Sequence, residues 1–110
     1  MTEIKVPNVP SKQELFDKLK ADFAGTYKVY FFGLKFVKVS MVRKSRFVGA
    51  EVRLDLKKNT IRVTGDFPSL LIFSIFWPIT GFFEEEWKIF ESEIADYIQK
   101  NYNGVIIGKK

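Results

Sequence analysis

The chain has 110 residues and contains neither cysteine nor histidine. Without cysteine there is no disulfide, no thiolate metal site and no cysteine nucleophile. Without histidine the commonest general base and the commonest zinc ligand are missing, and a Ser-His-Asp triad cannot be built. Chemistry would then fall to carboxylate, Lys, Tyr or Ser, so the reading is a non-catalytic chain with no cofactor and no metal. Seven scattered glycines form no G-x-G-x-x-G or Walker loop. Met1 to Pro10 holds no apolar run of the kind a signal peptide needs. The expected setting is therefore the cytoplasm or the cytoplasmic face of a membrane.

Charge is missing from one long stretch. Phe67 to Phe83 reads FPSLLIFSIFWPITGFF, without a charged residue. A spanning helix needs about 20 apolar residues, and this run is interrupted by Pro68, Pro78 and Gly81. A buried connection is one reading. The other is an exposed apolar contact formed by Leu71, Phe73, Phe76, Trp77, Phe82 and Phe83. Aromatics of this kind suit a protein partner, a second copy in a homodimer, or a membrane interface.

What is present is apolar and basic. Hydrophobic residues make up 46% of the chain, enough for a packed core, and the length suits a single domain over 1–110. Residues 1–66 hold 14 Lys and Arg against 7 Asp and Glu, whereas residues 67–110 hold 4 against 6. A basic half steers acidic partners such as nucleic acid or anionic lipid. Of the 18 aromatic residues 12 are Phe, which suits a dense core or a Phe-lined cavity for an apolar ligand.

Residues 1–10, with Pro7 and Pro10, read as an extended N-terminal arm. Ser11-Lys12-Gln13-Glu14 is a capping box, and Leu15, Leu19 and Phe23 form a stripe with Phe16 beside it. The pattern predicts a helix to about Ala24, closed by Gly25, with Glu14 and Lys18 as an i,i+4 pair. Tyr27, Val29 and Phe31 alternate, as do Val37, Val39 and Met41, with Gly33 at a hairpin turn between them. Val52, Leu54, Leu56 and then Ile61, Val63 predict a second hairpin turning at Lys57-Lys58-Asn59. From about Phe83 to Tyr102 the apolar positions Trp87, Phe90, Ile94, Tyr97 and Ile98 keep helical spacing, with acids first and Lys100 last. Val105 to Ile107 reads as a short edge strand.

The expected fold is α+β. An N-terminal helix and a long C-terminal helix pack on one face of a four-stranded antiparallel β-meander, joined by the apolar connecting segment 67–83. The other face shows Lys28, Tyr30, Lys38, Ser40, Lys44, Arg53 and Arg62, with Glu51 and Asp55 among them. Glu84, Glu85 and Glu86 diverge by about 100° each on a helix and do not converge on a metal. Glu51 and Asp55 serve the basic residues as cross-strand partners. The functional expectation is a small binding or interaction domain that uses segment 67–83. Nucleic-acid binding through Lys28, Lys38, Lys44, Arg53 and Arg62 is the main alternative, with a salt-sensitive affinity as its mark.

Overall fold

A computed structural model describes residues 1–32, 39–45, 47–66 and 83–109. The apolar segment 67–82, including Leu71, Phe73, Phe76, Trp77 and Phe82, lies outside the described residues, as do Gly33, Val37 and Lys38.

The Ser11 hydroxyl accepts from the Glu14 amide at 3.1 Å, and helix α1 runs from Lys12 to Asp22. Gly25 takes φ +82° just beyond it, a conformation that suits glycine. Lys18 pairs with Asp22 at 3.3 Å, its neighbour one turn later, and not with Glu14 as the spacing also allowed. The second helix, α2, spans Glu84–Asn101. Its first turn carries Glu84, Glu85 and Glu86 and its last turn Lys100, so both ends complement the helix dipole.

Among the described residues the sheet has six antiparallel strands: the four of the expected meander, the C-terminal edge strand, and one more formed by the N-terminal arm. They are β1 (Thr2–Lys5), β2 (Lys28–Phe32), β3 (Val39–Arg43), β4 (Gly49–Asp55), β5 (Thr60–Asp66) and β6 (Val105–Lys109), in the order β2-β3-β4-β5-β1-β6. Four of the ten residues of the N-terminal arm are thus a strand. β1 pairs with β5 through Ile4 and Ile61, and it carries β6 on its other side. The first hairpin is present as β2–β3, closing with Phe32 opposite Val39. The second is β4–β5, where the Asp55 carboxylate accepts from the Lys57 and Lys58 amides at 3.1 and 3.2 Å and holds the turn.

Cross-strand pairing assigns the faces, because paired residues share a side. Phe31, Ser40, Val52, Val63 and Thr2 lie in one row. This row belongs to the helix side, where Phe16 stacks on Phe31 at 4.0 Å and Glu91 of α2 meets Thr2. Ile4, Leu15, Leu19, Val42, Val52, Ile61, Val63, Phe90, Ile94 and Ile98 form one buried core there. Each such side chain contributes about 1.5–3 kcal/mol by leaving water. Ser40 therefore faces the helices and is buried, against expectation. The cause is register: odd residues of β2 pair with even residues of β3, so Ser40 and Val42 turn inward while Val39 and Met41 turn outward. Met41 is fully buried on that outer side, so this face is not an open basic surface.

Candidate functional site: the basic end of the sheet

One end of the sheet gathers the unusual features of the sequence. Its terminal row is Lys28, Arg43, Gly49 and Asp66, one residue from each of β2 to β5. Lys44 and Ser45 follow β3 directly, and both are exposed. A polar cavity of about 480 Å³ opens between the end of α1 and this corner, lined by Thr26, Tyr27, Lys28, Arg43, Lys44 and Ser45. The Arg43 Nε donates to the Ser45 carbonyl at 3.1 Å and so stays beside the cavity. The Lys44 ammonium lies 5.8 Å from the centroid of the Phe90 ring, within cation–π reach. Neither Lys28 nor Lys44 has an acidic partner within salt-bridge distance among the described residues.

Tyr27 borders the same cavity and donates to Glu93 at 2.5 Å. That hydrogen bond, with burial second, pushes its phenol up to about 12. The hydroxyl therefore stays protonated at neutral pH and is committed to Glu93. Across the fold Tyr97 donates to Asp22 and its phenol is also raised, by burial first and then by this bond.

Both boundaries of the uncharged segment lie at this end. Asp66 closes β5 in the Lys28–Arg43 row. Phe83 precedes α2 and stacks on Phe47, in the β3–β4 connection, at 5.0 Å. The Trp87 indole N–H donates to the Phe47 carbonyl at 2.9 Å. Trp87 also lies against Gly65, where an added Cβ would come within 2.7 Å of the Trp87 Cβ and carbonyl oxygen. Glycine at this position lets α2 approach β5 this closely.

Acids gather at the start of α2, beside the Phe83–Phe47 stack. Glu84, Glu85 and Glu86 are exposed at the start of α2, with Glu84 held by Lys88 at 3.5 Å. α2 packs mainly on β5, β1 and β4. Glu93, bonded to Tyr27 at the cavity, and Asp66, in the Lys28–Arg43 row, lie at this end too, so the cations share it with acids.

Two other candidate basic residues, Arg53 and Arg62, are held by acids. Arg62 meets Glu3 at 2.9 Å and Asp55 at 3.7 Å, and Arg53 meets Glu51 at 3.8 Å. Glu51 is largely buried, and burial, with Asp66 adding to it, raises its carboxyl above the usual range while Arg53 opposes. Of the sequence candidates, the structure brings Lys28, Lys44 and Phe83 to one end, and it places Arg53 and Arg62 within an acid-rich outer face. Arg43 was missed. Its signal was the pairing of β2 with β3, which sets it next to Lys28. No group of three or more metal-capable side chains occurs among the described residues. None of the helices among those residues is long and apolar enough to cross a membrane.

Comparison with known proteins adds no relative: no protein-family profile, curated protein or solved structure matches the chain.

Proposed function

We propose that this chain is a non-catalytic peripheral membrane-binding domain that docks on an anionic lipid surface at the cytoplasmic face. Lys28, Arg43 and Lys44 meet lipid headgroups, and the uncharged segment 67–83 supplies the apolar contact. One observation carries the reading. The described residues that bound the segment, Asp66 and Phe83, belong to the same sheet end as the three cations. Stable peripheral binding takes two signals, apolar insertion plus positive charge. Each cation near an anionic surface contributes about 1 kcal/mol.

The nucleic-acid alternative has less behind it, because Glu3, Glu51 and Asp55 hold Arg53 and Arg62 on the outer face. Vesicle co-sedimentation tests the proposal. The chain should bind phosphatidylserine-containing vesicles, bind neutral vesicles weakly, and dissociate as salt rises. Lys28→Glu with Lys44→Glu should weaken binding about 30-fold or more. Trp77 should shift to the blue with lipid, and the shift should vanish in Trp77→Phe. Absence of lipid binding, or concentration-dependent self-association that ignores lipid, would sink the proposal.

A further inference from the structure

A second cavity lies at the other end of the sheet and is independent of the basic corner. It has a volume of about 340 Å³ between the start of α1 and the β4–β5 turn. Its walls are Leu15, Val39, Val52, Leu54 and Leu56. Among the described residues the β3–β4 pairing runs to Ser40 opposite Val52, while β4 continues beside β5 to Asp55. Among the described residues that line it there is no phenylalanine.

Ser40 also lines this cavity, and it is only 1% exposed. Its hydroxyl has no hydrogen-bond partner among the described residues. A buried hydroxyl without a partner costs about 1–3 kcal/mol, so the site favours an occupant with one polar atom. One cation, Lys12 of α1, stands on the helix side with Ser40 at the cavity wall. The cavity also meets the start of α1 at Ser11. Helix N-termini leave amide N–H groups unsatisfied and favour anions. The first backbone bonds of α1 begin at Glu14 and Leu15, which leaves the Lys12 and Gln13 amides for a ligand.

We infer that this cavity binds a medium-chain carboxylate, with its head held by Ser40 and Lys12 and its chain along Leu15, Leu54 and Leu56. At roughly 30 Å³ per non-hydrogen atom, the space holds about eleven such atoms. Octanoate fits that size.

Backbone amide NMR titration of the full chain with octanoate and with octanol tests this. Octanoate should give saturable shifts at Leu15, Ser40 and Leu54 at submillimolar concentration. Ser40→Ala should weaken it roughly fivefold, the worth of one hydrogen bond. Lys12→Gln should weaken octanoate more than octanol. Leu56 is exposed, so Leu56→Glu should fold normally and set a charge against the apolar chain at the cavity mouth, weakening octanoate binding. A cavity that takes only water gives no shift at millimolar octanoate, and that result overturns the inference. Shifts that persist unchanged in Leu56→Glu, or that centre on Lys28 and Arg43, place the ligand elsewhere and overturn it as well.

Discussion

Replacing Glu91 should cost this fold more than any exposed acid would. Glu91 is buried on α2. One carboxylate oxygen accepts from the Thr2 hydroxyl at 2.7 Å, and the other accepts from the Gly65 amide at 3.1 Å. The Met1 amine lies 3.2 Å away. A single side chain therefore ties α2 to β1 and to β5, strands far apart in sequence. Hydrogen bonds to a charged group contribute about 1.5–3 kcal/mol each, and a buried donor left alone costs about 1–3 kcal/mol. Relief of the buried carboxylate's own desolvation offsets part of this. Glu91→Ala should thus lose about 3–5 kcal/mol, out of about 5–16 kcal/mol for a chain this long. Thr2→Val should lose about 1–2 kcal/mol. The two act on one bond, so the double variant should lose less than their sum by about 1 kcal/mol. Urea unfolding followed by circular dichroism measures all four proteins. A loss under about 1 kcal/mol for Glu91→Ala, or strict additivity, would refute the clamp.

Two further outcomes follow from the same region. Gly65→Ala should destabilise by about 2–3 kcal/mol, because the new methyl meets the Trp87 backbone and the core cannot give way; Trp87 emission should move to the red, and wild-type stability would contradict the close approach. Glu51 has a raised carboxyl pKa because burial penalises its charged form, so its share of stability is full below the unfolded glutamate pKa of about 4.3 and is lost as pH rises through the folded value. Glu51→Gln should therefore raise Tm at pH 7, with the gain closing as pH falls below about 4; an equal shift at both pH values would show that the carboxyl is not desolvated.

Local signals in the sequence carried most of the helices and hairpins. Ser11 and Glu14 marked the start of α1, and the Trp87–Ile98 spacing marked α2 within a residue or two. The β4–β5 hairpin followed from alternation. What escaped depended on partners distant in the chain. Thr2, Ile4 and Val6 alternate with Glu3 and Lys5, yet four residues beside two prolines make a strand only when β5, some sixty positions later, offers Ile61 and Val63. Ser40 was placed on the wrong face because register depends on the β2–β3 connection, and alternation alone does not count its residues. Glu91 sits inside the apolar stripe of α2, one turn after Trp87 and three residues before Ile94. A carboxylate there was the available sign of a buried polar partner. Lys28 and Lys44 were legible as basic residues. Their common corner was not, since pairing brings Lys28 and Arg43 together across β2 and β3.

The contacts that fix α2 on the sheet and the cations proposed to meet lipid belong to different parts of the same end. Gly65, Trp87 and Glu91 join β5 to one turn of α2. Lys28 and Arg43 pair across β2 and β3, and Lys44 opens the β3–β4 connection. Lys28 and Lys44 are exposed. Exposed substitutions away from such contacts usually change stability by no more than about 0.5 kcal/mol. Lys28→Glu with Lys44→Glu should accordingly leave the unfolding midpoint near wild type while abolishing the salt-sensitive part of vesicle binding. Gly65→Ala should do the reverse, lowering the midpoint while the cations stay in place. If the charge reversals unfolded the chain, the basic corner would be part of the fold's own support, and its assignment to lipid would fail.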